Sequence, residues 1–332
     1  MKRKPLIVFT TLVVFIVFVL LVSLQSGTFQ MTPAEAFKTI IGQGSDQQEL
    51  VLFEFRLPRM VLAILIGAGL AVSGAILQSL SRNDLADPGI LGINAGAGFA
   101  VVLFIYLFQG SYQNLGGSVY ILPMFAFLGA LTAAALIYSL AYKKGITPVR
   151  LVLVGIGINA GFSALLIIMQ LRMSPNDFMQ ATVWLSGNIW GANWSSVLAI
   201  LPWIAILIPL VIRQANTLNV MRIGDESAVG VGISLERSRL LLLFLAVALA
   251  GASVAAGGAI AFLGLVAPHI ARRIVGPRHQ IMIPTAALIG SLILLFADYI
   301  ARNMLAPSEI PVGIVVAIIG APYFLYLLIK TP

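Results

Sequence analysis

The sequence predicts an all-α integral membrane protein of ten transmembrane helices with N- and C-termini in the cytoplasm. Three observations predict it: overall apolarity, recurring apolar runs of span length, and basic residues gathered on one side. Of 332 residues, 60% are hydrophobic and only 10% charged, with a mean hydropathy of +1.02. A soluble chain averages about 25% charged residues, because its surface must be wetted. So few charges cannot cover a water-facing surface of this size, which excludes a soluble enzyme and a nucleic-acid-binding domain. The net charge of +8 therefore needs another explanation than DNA, and topology supplies one. With no cysteine in the chain, there is no disulfide framework and no thiolate metal site.

A bilayer core about 30 Å thick requires about 20 mainly apolar residues per helical span. Such runs fall at 6–24, 57–80, 90–108, 119–142, 148–171, 196–212, 239–256, 281–302 and 311–329. A further stretch, 258–274, follows Gly257-Gly258 and is broken by Pro268, so it reads as a short span or as the tail of its predecessor. The positive-inside rule arbitrates. With that stretch counted as a span, Lys2, Arg3, Lys4, Arg82, Lys143, Lys144, Arg150, Arg213, Arg222, Arg237, Arg239, Arg272, Arg273, Arg278 and Lys330 lie in the cytoplasm. Of the 20 basic residues only Lys38, Arg56, Arg59, Arg172 and Arg302 remain outside. Merging the stretch into its predecessor would carry Arg272, Arg273, Arg278 and Lys330 outside. Ten spans fit better.

The first run follows Lys2-Arg3-Lys4 but is longer than the roughly 7–15 apolar residues of a signal peptide and lacks an A-x-A-like site. It reads as an uncleaved span. The whole chain, 1–332, then forms one transmembrane domain: first span 6–24, external segment 25–56, spans two to six in 57–212, cytoplasmic loop 213–238, and spans seven to ten in 239–329. Within the external segment, Thr32-Pro33-Ala34-Glu35 reads as a helix start. A second external connection, 172–195, is rich in Trp, Asn and Gly.

No lysine follows a glycine, so the G-x-x-x-x-G-K-[ST] loop that cradles ATP phosphates is missing. His269 and His279 are poor material for a metal site. Asp84 and Asp87, next to Pro88, read as turn-formers rather than an acid–base pair. No catalytic, cofactor or metal site is expected, and the chain is not read as an enzyme. Ion-driven carriers place ionisable residues inside their spans, and here Asp298 is the main exception. It precedes Arg302 by four residues, on one helix face, which reads as an intrahelical ion pair near the outer surface, with a relay carboxylate as the alternative. The missing energy-coupling chemistry points to a partner that supplies the energy.

Glycines at 67, 69, 74, 92, 96, 98, 155, 157 and 161 let helix backbones approach closely. Gly-Ile-Asn-Ala-Gly occurs at 92–96 and again at 157–161. Asn94 and Asn159 read as interhelical hydrogen-bonding groups, or as lining of a wet path. A small-residue helix leading to a proline occurs twice, 63–74 before Pro88 and 246–258 before Pro268. Spans two to five and seven to ten would then be oppositely directed halves, an inverted repeat of the transporter kind. Trp184, Trp190 and Trp194 read as an interfacial belt, with a gate or substrate contact as the sharper alternative.

A set of motifs now carries a resemblance: Arg56-Leu57-Pro58-Arg59, Gly69-Leu-Ala-Val-Ser-Gly74 with Gln78, Asn83-Asp84-Leu85-Ala86-Asp87-Pro88-Gly89-Ile90-Leu91-Gly92, Gly264-Leu265-Val266-Ala267-Pro268-His269-Ile270-Ala271-Arg272, and Ala297-Asp298-Tyr299-Ile300-Ala301-Arg302. In order and spacing, from about residue 50 onward, they resemble the iron-complex (FecCD) permease family, which includes the cobalamin permease. The resemblance implies the membrane half of an ABC importer in the bacterial cytoplasmic membrane. It implies a second permease subunit, the same or a related chain, two cytoplasmic ATPase subunits, and an extracytoplasmic binding protein.

The resemblance also implies roles. Arg56, Arg59 and Arg302 would receive acidic residues of the binding protein, with interfacial anchoring as the bland alternative. The loop 213–238 would be the ATPase-coupling element, through Gly224, Asp225, Glu226, Ala228, Gly230 and Gly232, its 223–233 part reading as a short helix, a glycine break and another helix start. The path or gate would involve Pro148, Asn159, Trp184 and Asn188, lined by the fifth and tenth helices. An iron–siderophore complex is the expected cargo, with cobalamin or haem as the runner-up and an ion-coupled carrier as the rival of another class.

Overall fold

The computed structural model describes residues 3–27, 29–108, 118–143, 145, 147–306 and 308–330. Lys2 and Lys144 of the expected inner set lie outside them. The described chain is helical: α1 (Arg3–Gln25), α2 (Pro33–Ile40), α3 (Asp46–Glu49), a π-helical stretch (Leu50–Arg56), α4 (Leu57–Ser81), α5 (Ile93–Phe108), α6 (Ser118–Ala141), α7 (Pro148–Gln170), α8 (Pro175–Leu185), α9 (Trp194–Arg213), α10 (Ala215–Ile223), α11 (Asp225–Gly230), α12 (Leu235–Gly257), α13 (Leu263–Val275), α14 (His279–Asn303) and α15 (Val312–Lys330). Eight helices are long and apolar enough to cross a membrane. Two expected spans are shorter, α5 at 16 residues and α13 at 13.

The external segment is more helical than its one expected helix start. Residues Asp46–Ser81 run as one helix of 36 residues. Pro58 explains the π-helical stretch: it offers no N–H and its ring crowds the carbonyl four residues back. The chain widens by one residue instead, and the Leu57 amide bonds the Leu52 carbonyl. The Thr32 helix start is present as a capping box: the Thr32 amide donates to Glu35 at 2.7 Å and the Glu35 amide to Thr32 Oγ1 at 3.3 Å. The 172–195 connection contains α8, capped by Ser174. The 213–238 loop is mostly helical too.

The 258–274 ambiguity resolves into a separate helix. α12 ends at Gly257, Gly258 and Phe262 take positive φ, and α13 begins at Leu263. Pro268 sits inside α13 rather than ending it.

Helix α4 is the axis of the bundle. It is apolar all round and 83% of its most apolar window is buried, against 17% for α1 and for α7. An all-round apolar helix belongs at a centre when buried, and against lipid or another subunit when not. α12, α13 and α14 pack on α4, and α5, α6 and α9 close around them. Glycine makes the closest approach possible. A Cβ on Gly74 would lie 2.6 Å from Gly264 Cα, inside contact distance. The repeated pentapeptides meet directly, Gly92 facing the Asn159 backbone.

Candidate docking and coupling sites

Charge gathers at the two ends of the bundle. At one end, α1, α4 and α14 converge on three arginines. Arg59 Nε donates to Asp298 Oδ1 at 2.7 Å and its Nη1 to Glu309 Oε2 at 2.7 Å. Arg302 forms the expected intrahelical ion pair with Asp298, at 3.1 Å, and also reaches Ser23 Oγ on α1. Arg56 donates to the carbonyls of Leu24 and Phe29. All three arginines are buried, at 5–7% exposure, and Asp298 is fully so. They are therefore internal ties as they stand, joining α1, the α4 rod and α14. Burying an arginine demands such pairing, because an unmet charge costs several kcal/mol, on the order of 3–5. Glu309, on the α14–α15 connection, is the most exposed member, at 33% for its side chain.

At the opposite end, α10 and α11 form a protruding pair. They are separated by Gly224, and the 223–233 reading of a short helix, a glycine break and another helix start corresponds to α11, the turn at Gly232 and the approach to α12. Ala228 is buried, whereas Ile223, Val229 and Val231 are exposed. Gly232 has φ +82°, and its amide bonds Val229 while the Ile233 amide bonds Ala228. That pattern is a Schellman motif, where the left-handed residue must be glycine or pay in strain. Gly230 has nothing within 4 Å of a notional Cβ, so it faces open space.

Two carboxylates and four arginines anchor this pair. Asp225 accepts from Arg239 at 2.7 Å and from Arg82. Arg82 also donates to the Met221 carbonyl at 3.0 Å. Asp84 pairs with Arg272, and with Arg222 at 3.5 Å. Burial alone pushes the Asp225 carboxyl up, but the hydrogen bond and charge of Arg239, with Arg82, hold it below the usual value. A polar seam fixes α10 to α14 and α4: the His279 amide donates to Asn219 Oδ1 at 3.0 Å, the His279 ring contacts Ser79 Oγ at 2.6 Å, and Asn219 donates to Gln280 at 2.9 Å. Glu226 makes no ion pair among the described residues.

Asp87 does more than form a turn. Its carboxylate accepts from the Gly89 amide at 2.7 Å and from the Leu265 amide in the first turn of α13. It thus caps a helix whose own N-cap, Phe262, offers no side-chain bond. Burial raises its pKa to about 6 against these bonds.

The four path residues do not converge. Pro148 is the first residue of α7, after its cap Thr147. Asn159 lies about 16 Å further along that helix by its rise. Trp184 and Asn188 lie beside the turn between α12 and α13: the Trp184 carbonyl packs on Gly258, and Asn188 Oδ1 accepts from the Trp190 amide at 2.8 Å. The neighbouring Gly187 carbonyl takes the Gly313 amide of α15 at 3.0 Å. Trp194 donates to the Phe53 carbonyl at 2.8 Å. Asn94 donates to the Ile260 carbonyl at 3.3 Å, a tie from α5 to the turn between α12 and α13.

Spacing pointed to only part of this. By sequence alone Arg82, Asp84, Arg222, Arg239 and Arg272 are topology markers and turn residues, and nothing local marks Glu309. Their partners lie far away in the chain, where no local period reports them.

With charge held at its ends and small residues through its middle, the bundle has the build of a polytopic membrane permease. Residues 14–330 match the FecCD transport family, and the chain belongs to that family. It is 58% identical over 329 residues to the iron(3+)-hydroxamate import system permease protein FhuG of Bacillus subtilis (strain 168), covering 99% of this chain and 98% of that one. It is 36% identical over 336 residues to the hemin transport system permease protein HmuU of Yersinia pestis, covering 99% and 97%. Among solved structures, an inward-facing metal-chelate type ABC transporter matches with a TM-score of 0.85 and 30% identity, over 98% of this chain and 99% of that one.

Proposed function

We propose that this chain is the membrane-spanning subunit of an ABC importer that carries an iron–siderophore complex into the cytoplasm. The observation that carries the reading is the full-length 58% identity to an iron(3+)-hydroxamate permease. ATP hydrolysis belongs to partner subunits, and family membership replaces the ion-coupled carrier reading. The finer reading is ten spans, with α5 and α13 as the short ones, related as inverted halves, and both ends in the cytoplasm of a bacterial cell membrane. Basic-residue asymmetry supports that orientation.

The α10–α11 pair then seats in a cleft of a cytoplasmic ATPase, its exposed Ile223, Val229 and Val231 supplying apolar contact. Asp225 ties it to α4 and α12, so a push on the pair reaches the spans. The arginine cluster lies at the external face, beneath the docking surface of a binding protein. Arginine's planar fork suits incoming carboxylates, and sparse charges fix docking orientation. A second permease subunit, the same or a related chain, covers the open face of α7, where Gly157 and Gly161 have nothing within 4 Å. The path runs along α7 and α15 between them, with Pro148 and Asn159 on one wall and Trp184 and Asn188 near the mouth.

The test is uptake of radiolabelled ferric hydroxamate by a bacterial strain whose own permease gene is replaced with this one. Restored uptake is expected. Restored haem use without hydroxamate uptake would move the cargo to the second reading, which the 36% identity to a hemin permease keeps in view.

A further inference from the structure

Arg59 is incompletely satisfied. Its Nε is held by Asp298 and its Nη1 by a single oxygen of Glu309, while its buried Nη2 has no hydrogen-bond partner among the described residues. The two carboxylates differ in kind. Asp298 is fully buried in α14 and shared with Arg302. Glu309 hangs from the α14–α15 connection, a third exposed, on a segment tied back by the Ile310 amide bonding the Ala301 carbonyl at 3.1 Å. On the same connection Met304 and Leu305 stand exposed. Asp298 is a fixed counter-ion, and Glu309 an exchangeable one.

We infer that Glu309 is an internal stand-in for a carboxylate of the docking protein, occupying the outer edge of Arg59 until that carboxylate displaces it. The inference rests on the proposed docking role of this face. An arginine presents two parallel N–H groups to a carboxylate, and Glu309 uses only one of them. An incoming carboxylate that takes Nη1 and Nη2 together gains the bond that Glu309 leaves unmade. The exchange also avoids a bare buried guanidinium in the undocked subunit, whose cost would otherwise fall on folding. Release of Glu309 removes one tie on the connection that leads into α15 and leaves the Ile310–Ala301 bond, so docking is felt at the head of a path helix. The partner this edge fits is an acidic side chain on a protein surface, and Glu309 competes with it.

The experiment is titration of the assembled transporter, in lipid nanodiscs, with the extracytoplasmic binding protein isolated with it. Glu309→Gln keeps shape and removes the competing charge. Docking should tighten about three- to tenfold at low salt, the range of a single charge contact at a partly exposed site. In an Arg59→Gln background docking should be weaker, and Glu309→Gln should no longer change it. Where Arg59→Gln fails to fold, Arg59→Lys keeps a cation beside Asp298 without the fork, and the gain should fall below about twofold. Unchanged docking in Glu309→Gln, with Arg59→Gln still weakening it, overturns the stand-in and leaves the docking face standing. A gain that persists without Arg59 also overturns it, since Glu309 would then act by general repulsion. Docking indifferent to every variant overturns both the face and the stand-in.

Discussion

Arg59 and Asp298 are 239 positions apart in the chain and meet at 2.7 Å, sealed from water, at the point where α4 crosses α14. The pair binds two core helices whose remaining contact is mainly apolar and glycine-rich, with Ser291 Oγ donating to the Ile64 carbonyl at 2.8 Å and Ser79 Oγ meeting the His279 ring at 2.6 Å. Arg59→Gln should lower the stability of the purified subunit by about 3–5 kcal/mol, the cost of stranding a buried carboxylate with one partner removed. Adding Asp298→Asn should recover part of that loss. A melting temperature in detergent unmoved by Arg59→Gln would contradict the structural role.

The glycines fall into two groups with opposite tolerance. Gly74 faces the Gly264 backbone, so Gly74→Leu should prevent packing of α4 on α13 and abolish accumulation of folded protein. Gly157 has open space around a notional Cβ, and Gly157→Ala should leave the isolated subunit's yield and melting unchanged. Yields from membrane fractions decide between them.

Asp87 gives the subunit a pH dependence. Its folded-state pKa of about 6 stands above the ordinary 3.8. A raised carboxyl pKa means the folded state holds its proton more tightly. Stability is therefore full below about 4 and declines as pH rises through about 6, by on the order of 3 kcal/mol. Asp87→Asn should flatten that decline between pH 4 and 6 when thermal unfolding is followed across the range. An unchanged slope would show that Asp87 is not its source.

The coupling pair allows a separation of folding from function. Ala228 is buried in the subunit and Gly230 is not. Ala228→Trp should disorder the α10–α11 turn and lower stability by roughly 1–3 kcal/mol, an overpacking cost. Gly230→Trp should leave melting intact while abolishing siderophore uptake and co-purification of the ATPase. Normal uptake by Gly230→Trp would remove the pair from the ATPase contact.

Much of the fold was legible because its causes are local. Apolar run length marks the spans, Thr32 and Glu35 carry a complete capping box within four residues, and the Asp298–Arg302 pair follows from helix period. Element ends are less legible. The apolar run opens at residue 57, where α4 begins, but the helix continues back through a π-helical stretch to Asp46. Gly257-Gly258 and Pro268 leave 258–274 ambiguous by local pattern, and only the distribution of basic residues separates it; the turn itself depends on Phe262 at positive φ, which no residue preference foretells. The sites were legible in outline only. Arg56, Arg59 and Arg302 were marked as rare charges on their side, but their burial depends on Leu24, Phe29, Ser23 and Glu309 arriving from elsewhere. Asp225 was marked within its loop, whereas its partners Arg82 and Arg239 come from α4 and α12.

The burial of α4 bears on the order of biogenesis. Its neighbours all belong to the same polypeptide, and its last long partner, α14, emerges more than two hundred residues after it. The rod must therefore wait in the bilayer, half wrapped, until late in translation, when Asp298 arrives to neutralise Arg59. Once α14 is in place α4 is enclosed by helices of its own chain. A chain that stalls before α14 leaves Arg59 without Asp298 and Glu309, its two acidic partners among the described residues, and that unpaired arginine marks it as unfinished.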